Sequence, residues 1–428
     1  MYPDRRAEQS KTQIERRWVW LEHGTAFLIL ACLSGSKNLI FDLQFASGKS
    51  KLFFMDWNRY RAEFPVTRKW AFLDHAAVAP LSARAQTAMV AWAADLTENG
   101  HVNEWIWNDR VEEVRHLAGR LLNADPLDIA FVKNTSEGIG IVAEGFPWKP
   151  GDNMVTAAEE YPANVYPWLN LANRGVEVRL VQSRGSRLEL DDLIKTIDQR
   201  TRLVSLSMIE FASGFRNDLD TIGGLCRQRG IYFFVDAIQG LGVFPIDVRQ
   251  TPIDFLAADG HKWLLGPEGA GIFYVRRDLV DLLHPVGIGW NSVVNSRDFS
   301  RIDFRLKPHA GRWESGSLNV AGITALGASM EMLLEIGIAE VGQRVLDLTD
   351  HLCAAAERAG LTVFSSRQGG DKSGIVSLIP ASGEVRGLVR RCREQGIVIN
   401  QRAGRLRISP HFYNTTEELD RTLEVIRA

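Results

Sequence analysis

The chain has 428 residues, with 50 Lys and Arg against 52 Asp and Glu, and a formal charge of −2. At about 150 residues per domain, this length predicts two or three domains and excludes a peptide-sized or single-module protein. The near-neutral charge disfavours nucleic-acid partners and anionic lipid surfaces. The hydrophobic share of 45% and the charged share of 24% are typical of a folded, soluble enzyme.

Residues 1–54 differ from the rest of the chain because their hydrophobic residues follow no clear period. Their apolar run at 26–33 is too short to span a bilayer. Small residues follow this run, as they do at the cleavage site of a signal peptide. However, Glu15 and Glu22 interrupt the basic stretch that precedes the apolar run of a signal peptide. We therefore expect a cytoplasmic protein with no membrane partner, with secretion as the alternative. We interpret residues 1–54 as a poorly ordered extension or an over-long start ahead of Met55.

From residue 128 onward, short β-rich runs alternate with longer helical ones. This alternation predicts βαβ units, and hence a three-layer α/β fold with a mostly parallel sheet and ligands at the carboxyl ends of the strands. Beyond about residue 305 a long helical stretch at 321–359, broken at Gly337, leads into a smaller α+β domain that closes with a helix from Thr416. The predicted strands of the larger region lie at 129–132, 153–157, 176–181, 203–208, 231–235 and 271–275.

Two polar side chains stand out at the ends of these runs. Asp236 directly follows the strand at 231–235, and an acid buried at a sheet edge is costly unless it has a partner. Lys262 lies between a second strand-like run and a glycine-rich turn. Considered separately, Asp236 has the features of a turn-forming acid and Lys262 those of a solvent-exposed surface lysine. As a pair, they suit imine chemistry, because a lysine can hold a pyridine aldehyde as a Schiff base while a carboxylate keeps the pyridine nitrogen protonated.

The segment that follows the strand at 129–132 predicts a helix start suited to a phosphate. Asn134 and Glu137 have capping-box spacing, and Thr135 and Ser136 add hydroxyls beside the free amides. An ordinary capped helix without a ligand is the alternative.

A dinucleotide site is the main rival function. The run 138–143 matches GxGxxA after a strand, and Glu159 and Glu160 follow at about the offset expected for a ribose. Against this, Gly138 and Gly140 come after the predicted helix start, where they cannot approach a pyrophosphate. The four cysteines form no CxxC pair and do not cluster with the nine histidines, so we predict neither a metal site nor a disulfide framework.

Taken together, these motifs resemble the class V aminotransferase group of fold-type I pyridoxal-phosphate enzymes, which includes cysteine desulfurases, kynureninase and isopenicillin N epimerase-like proteins. The resemblance runs from about Met55 to the end, and the segment 72–80 is similar to the motif at the mouth of the active site. It implies pyridoxal 5'-phosphate, with Lys262 as the Schiff-base lysine and Asp236 on the pyridinium. Gln239 would contact the phenolic oxygen, and His261 would neighbour the phosphate.

The same resemblance implies further roles. Tyr161 stacks on the cofactor ring, and Ser317 reaches the phosphate of the neighbouring subunit of a homodimer whose active site lies at the interface. Arg407 binds the α-carboxylate of an amino-acid substrate, for which a planar guanidinium is well suited. Thr135 and Ser136 hold the phosphate. The predicted substrate pocket consists of His75, Trp290, Asn295 and Arg407.

The implied domains are an N-terminal segment at 55–75 that packs with the small domain, a large cofactor-binding domain at 76–305 and a small α+β domain at 306–428.

The sequence departs from the family pattern at three places. Desulfurases carry a nucleophilic Cys shortly before the substrate arginine, but residues 400–405 contain none. Asp259 stands where relatives often have a phosphate-binding Ser, and Phe211 stands where some have Asn.

The implied function is that of an aminotransferase or a C–S/β-elimination lyase. An epimerase similar to isopenicillin N epimerase is the alternative. A dinucleotide-dependent oxidoreductase and a non-enzymatic scaffold are alternatives of a different class.

Overall fold

The structure is a computed structural model, and it describes residues 14–21, 25–32, 55–380 and 384–428. The chain divides into two units, Met1–Met55 and Asp56–Ala428. In the first unit, strand β1 (Ile14–Leu21) pairs antiparallel with strand β2 (Thr25–Cys32). Most of residues 1–54 lie outside the described residues, so the interpretation of this stretch as a poorly ordered extension or an over-long start stays a prediction.

The second unit begins with the elements that lead into the main sheet. Ser82 caps the second of its helices, because the Ser82 hydroxyl accepts a hydrogen bond from the backbone N–H of Ala85 at 3.2 Å. In chain order these elements are α1 (Trp57–Arg61), β3 (Ala71–Phe72), α2 (Ala83–Asn99) and α3 (Glu104–Leu122).

The central sheet has seven strands in the order β4-β10-β9-β8-β7-β5-β6, and it confirms the predicted mostly parallel α/β fold. The elements of this region are β4 (Ile129–Val132), α4 (Thr135–Gly145), β5 (Asn153–Ala157), α5 (Tyr166–Leu169), β6 (Glu177–Val181), α6 (Leu190–Thr196), β7 (Thr201–Ser207), α7 (Leu219–Arg229), β8 (Tyr232–Asp236), β9 (Phe255–Asp259) and β10 (Gly271–Val275). Only β10 runs antiparallel to its neighbours, β4 and β9. Strands β4, β5, β9 and β10 are buried along their whole length, which explains why most of their residues are apolar.

The glycines of the GxGxxA match lie inside helix α4 and not in the turn before it. A Cβ on Gly138 would lie 2.6 Å from the Cβ of Ala257 on β9. Gly138 therefore permits close packing of α4 on the sheet, and this packing explains the glycine without a dinucleotide.

The C-terminal part of the second unit carries a second, smaller sheet. Strands β11, β12, β15 and β14 pair antiparallel in that order, while β13 pairs in parallel with β3. The elements are α8 (Val320–Ile336), α9 (Ile338–Arg358), β11 (Thr362–Val363), β12 (Val376–Ile379), α10 (Val385–Glu394), β13 (Ile397–Val398), β14 (Asn400–Arg402), β15 (Arg405–Ile408) and α11 (Thr416–Arg427).

Helices α8 and α9 confirm the predicted long helical stretch and its break at Gly337. Gly337 has a φ of +96°, which glycine adopts at little cost, and the two helices meet there at 82°. Among the described residues, no single helix is both long and apolar enough to cross a membrane; α8 and α9 meet that test only when the bent pair is taken together.

The β3–β13 pairing ties the segment after α1 to the C-terminal sheet. The backbone N–H of Ser409 donates to the carbonyl of Leu73 at 2.8 Å, so residues 71–76 run beside the end of β15. Asp56–Ala428 forms one compact unit, and the finer division at residues 75 and 305 stays a prediction.

Candidate active site

A cleft of about 620 Å³ opens where the ends of β8 and β9 and the start of α4 face the β14–β15 hairpin. Its position matches the expectation that ligands bind at the carboxyl ends of parallel strands. The structure brings the following predicted site residues together on its wall: Thr135, Ser136, Tyr161, Asp236, Gln239, His261, Lys262 and Arg407.

Lys262 lies just after β9 and is 8% exposed. Its Nζ lies 5.4 Å from the centroid of the Tyr161 ring, and within the described residues it makes no hydrogen bond or ion pair. Burial lowers the pKa of Lys262 to about 8, although Asp236 opposes the shift. A substantial fraction of this amine is therefore neutral and nucleophilic near physiological pH.

Asp236 ends β8 and is 2% exposed. Its carboxylate accepts one hydrogen bond, from the backbone N–H of Ile238 at 3.1 Å. Burial raises the pKa of Asp236 to about 6, and the Ile238 hydrogen bond and the charge of Lys262 only partly offset this effect. A buried carboxylate with so little compensation is well placed to hold a cationic N–H in the cleft.

The opposite end of the cleft is formed by the start of α4 and the residues after β9. The Thr135 hydroxyl accepts the backbone N–H of Asp259 at 3.0 Å, so its own hydrogen is free to donate. The Asp259 carboxylate accepts the N–H of Gly260 at 2.7 Å, and its other oxygen lies 2.9 Å from Nδ1 of His261. Asp259, which stands where relatives often have a phosphate-binding Ser, is thus turned toward Gly260 and His261.

Gln239 is held by two neighbours. Its Oε1 accepts the indole N–H of Trp263 at 2.8 Å, and its Nε2 donates to the carbonyl of Ala76 at 3.1 Å. The side chain is thus fixed at the cleft wall by a tryptophan next to Lys262 and by the segment 72–80.

Arg407 lies on β15 with only 1% of its surface exposed. It pairs with the carboxylate of Asp74 at 3.1 Å and donates to the carbonyl of Phe211 at 3.0 Å. Asn400 donates to the second oxygen of Asp74 at 2.8 Å. Sequence reasoning missed Asp74, although it stands beside His75 in the motif that carried the resemblance; the contact explains why that motif and β15 belong to one site.

The structure places His75 behind the cleft and not on its wall. The side chain is fully buried, with Nδ1 2.8 Å from the carbonyl of Ser409 and Nε2 2.6 Å from the hydroxyl of Tyr413. Burial lowers the pKa of His75 to about 4, so the imidazole is neutral. Its contacts are those of a structural histidine that fixes residues 72–80 against the C-terminal sheet.

Three other predicted residues also lie away from the Lys262 cleft. Ser317 and Trp290 line a separate cavity of about 280 Å³ beside α2 and α3. Asn295 is within 3.5 Å of Asp303 in the loop that precedes α8. A single chain therefore does not bring Ser317, Trp290 or Asn295 to Lys262.

The residues in the cleft fit a phosphorylated pyridine aldehyde. An unpaired buried amine suits the aldehyde, and a buried, poorly compensated carboxylate suits a pyridinium nitrogen. The start of α4, where Thr135 keeps a free hydroxyl hydrogen, suits a phosphate. The edge of the cleft at Tyr161 provides an aromatic face, and the ring meets that of Phe211 edge-on at 5.3 Å.

Residues 71–422 match the sequence family described as Aminotransferase class-V. The chain belongs to the class V aminotransferase family. It is 30% identical over 401 residues to a probable cysteine desulfurase of Methanothermobacter thermautotrophicus, a match that covers 88% of this chain and 99% of that protein. As a member of this family, the chain is an enzyme that depends on pyridoxal 5'-phosphate.

Solved structures agree with this class V aminotransferase fold. The cysteine desulfurase CsdA of Escherichia coli superposes with a TM-score of 0.78 at 26% identity, over 87% of this chain and 97% of that one. The cysteine desulfurase of Thermococcus onnurineus superposes with a TM-score of 0.80 at 23% identity, over 86% of this chain and 97% of that one. At this lower identity, the second likeness concerns the fold alone.

Proposed function

We propose that this class V enzyme acts on an amino acid as an aminotransferase or a C–S/β-elimination lyase without a protein thiol. The observation that carries the proposal is the composition of the cleft. It combines the Lys262 amine, the Asp236 carboxylate and the Arg407 guanidinium, and none of its lining residues is a cysteine.

The cysteines in the second unit support this distinction from desulfurase chemistry. Cys226, Cys353 and Cys392 are buried in helices α7, α9 and α10. Burial raises the pKa of Cys226 to about 12 and the pKa values of Cys353 and Cys392 to about 11. These thiols stay protonated, and a protonated thiol is a poor nucleophile.

The hairpin before Arg407 supports the same view. Strands β14 and β15 are joined by only two residues, Ala403 and Gly404, with φ values of +48° and +75°. Such a tight turn leaves no extended loop at the place where desulfurases carry their nucleophile.

The proposed roles of the side chains follow from their positions. When bound, pyridoxal 5'-phosphate supplies an electron-accepting ring that stabilises negative charge at the substrate Cα. Asp236 would hold the proton on the ring nitrogen, and Tyr161 would cover the ring. Arg407 orients the substrate through its carboxylate. Lys262 removes the proton from Cα and returns it to the substrate, which is general acid–base catalysis.

We expect the holoenzyme to show an absorption change with a reactive L-amino acid and to convert it to products. The products separate the alternatives: an oxo acid with amino transfer indicates a transferase, ammonia with sulfide or pyruvate indicates a lyase, and an inverted Cα indicates an epimerase. Treatment with iodoacetamide should leave the activity unchanged, because no described thiol lines the cleft. Loss of activity on alkylation, protected by substrate, would contradict the thiol-free mechanism.

We also propose that the enzyme is a homodimer in which Ser317 reaches the site of the neighbouring subunit. Apolar side chains are exposed at the Ser317 cavity: Leu96 and Trp290 line it and are 45% and 47% exposed, and Phe299, whose ring centroid lies 6.1 Å from that of Trp290, is 79% exposed. Apolar groups concentrated in this way are typical of a covered surface. Light scattering should give twice the mass of one chain, and Phe299→Asp should shift it toward the monomer. A parent protein that is monomeric at micromolar concentration would exclude this arrangement.

A further inference from the structure

Three acidic side chains lie at the carboxyl ends of adjacent parallel strands in the central sheet. Asp236 ends β8, Glu210 follows the neighbouring strand β7, and Glu160 follows β5 on the other side of β7. Glu160 and Glu210 are only 5% and 4% exposed. Within the described residues neither of them forms an ion pair, so two carboxyl groups besides Asp236 are buried here without a cation, which is costly if they are charged.

Glu160 is hydrogen-bonded to the end of β7. The backbone N–H and the hydroxyl of Ser207 donate to its two carboxyl oxygens, each at 2.5 Å. Ser207 pairs with Asp236 in the parallel ladder between β7 and β8, and the next N–H along β7, that of Met208, donates to the carbonyl of Asp236 at 2.8 Å. Only the end of β7 therefore separates Glu160 from Asp236.

Glu210 is connected to the same strand end through Asn217. The side-chain amide of Asn217 donates to Oε1 of Glu210 at 2.9 Å and to the carbonyl of Ser207 at 2.8 Å. The other carboxyl oxygen of Glu210, Oε2, is buried and has no hydrogen-bond partner in the described part of the chain. A carboxylate with such an oxygen is strongly disfavoured, whereas a carboxyl group that carries a proton is neutral.

The charges around Glu160 and Glu210 favour the protonated form as well. Burial raises the pKa of Glu160 well above its ordinary value, and Glu210 and Asp236 raise it further. Burial also raises the pKa of Glu210, and the charges of Glu159 and Asp236 act in the same direction. The charged groups that act on the two side chains from β8 and from the segment after β5 are thus all acids, and neighbouring acids in a dry site do not all ionise together.

The residues that follow Glu160 and Glu210 in the chain, Tyr161 and Phe211, line the cleft. We propose that Glu160 and Glu210 hold a shared proton and are positioning residues that act on the cofactor ring through Asp236. When the O–H bond breaks and the proton leaves to solvent, the added negative charge reinforces the attraction of Asp236 for a cationic ring nitrogen. This inference rests on the proposed function, in which Asp236 faces that nitrogen.

Infrared spectroscopy of the cofactor-free protein tests the shared proton. A protonated carboxyl group has a C=O band that a carboxylate lacks, and this band should be present at neutral pH and weaken in Glu160→Gln and in Glu210→Gln. The Glu210→Gln protein should also unfold at a higher temperature than the parent at about pH 8, with the difference shrinking toward about pH 4, because the parent must ionise a buried acid as the pH rises. An unchanged band in both variants would overturn the proposal.

The affinity for pyridoxamine 5'-phosphate tests the effect on the ring, because this amine form of the cofactor has no aldehyde to react with Lys262. By equilibrium dialysis, the parent and Glu210→Gln should bind it nearly equally at about pH 6, where the pair is protonated in the parent. At about pH 8 the variant should bind it about tenfold more weakly, since one nearby charge shifts such an equilibrium by about one pKa unit. Glu210→Asp, which keeps an acid, should recover part of this loss.

Glu268→Gln is the matched control, because Glu268 also lines the cleft but is exposed. The ratio of its affinity to that of the parent should be the same at both pH values. If Glu210→Gln gives a constant ratio too, the inference is overturned while the proposed function stands. If Asp236→Asn binds pyridoxamine 5'-phosphate as tightly as the parent at both pH values, Asp236 does not face the ring, and the proposed function fails together with this inference.

Discussion

Lys262→Ala is expected to lower kcat/KM for the reactive amino acid by at least about 10⁴-fold, because general acid–base catalysis alone contributes up to that factor. In the proposed mechanism, this variant loses both the amine that binds the cofactor aldehyde and the base that moves the Cα proton. The absorption spectrum should change from that of a lysine-bound cofactor to that of the free aldehyde. Steady-state kinetics and the visible spectrum of the purified variant are the measurements.

Lys133→Ala is the matched control for this prediction. Lys133 lies on the same cleft wall, but its side chain is 76% exposed and its Nζ is 3.5 Å from Glu137. Removal of the Lys133 side chain should change kcat/KM by less than about threefold, because an exposed ion pair contributes little free energy. A Lys262→Ala protein that retains both activity and the parent spectrum would show that another amine binds the cofactor.

The lowered pKa of Lys262 predicts a further readout in the cofactor-free protein. The neutral amine is the nucleophile, and with a pKa of about 8 its fraction rises steeply between pH 6 and 8 and then levels off. The rate of combination with added pyridoxal 5'-phosphate should follow that curve. A rate that still rises steeply between pH 9 and 10 would indicate an amine with an ordinary lysine pKa.

Asp236→Asn is expected to lower kcat by about 10²- to 10³-fold, the usual loss when one aligned electrostatic group is removed from an active site. An amide cannot hold a positive ring nitrogen as a carboxylate does. Asp236→Glu, which keeps the charge, should recover part of the loss. Stopped-flow measurement of Cα proton removal with a deuterated substrate locates the effect at the chemical step.

The stability of the cofactor-free Asp236→Asn protein provides an independent check. Because burial raises the pKa of Asp236 to about 6, the folded state is penalised for ionising this group as the pH rises from about 4 through 6. The variant should therefore be more stable than the parent at pH 8, and the difference should shrink toward pH 4.

Asp254→Asn is the control for the loss of a buried carboxylate. Asp254 lies just before β9, at the amino end of the strand, whereas Asp236 lies at the carboxyl end of β8. The Asp254 carboxylate accepts the N–H of Phe233 at 2.8 Å and pairs with Arg276. This variant should lose stability and keep its kcat. Equal effects of the two substitutions on kcat would mean that Asp236 acts only through the fold.

The strands and the residues at their ends were predictable because their signals are local. Buried parallel strands need continuous apolar runs, so the run at 231–235 predicted β8 to within one residue and placed Asp236 at its end. The helix start at Asn134 was predictable from a local signal as well. The capping-box spacing of Asn134 and Glu137 predicted it, and the Asn134 side chain accepts the N–H of Glu137 at 2.9 Å.

Residues whose roles depend on distant segments were not predictable in this way. Asp74 and Arg407 are far apart in the chain, and His75 meets Ser409 and Tyr413 only because β3 pairs with β13. A polar residue in a conspicuous motif can face a ligand or a neighbouring segment, and His75 has its hydrogen bonds satisfied behind the cleft wall.

The sequence by itself determined the alternation of strands and helices, the family resemblance and the strand-end pair of Asp236 and Lys262, because each depends on residues that are near one another in the chain. Only the tertiary structure decided that Arg407 of the β14–β15 hairpin pairs with Asp74, while Arg405 packs on the ring of Phe364. Arg407 and Asp74 are 333 residues apart in the chain, so their contact arises only when distant segments pack together.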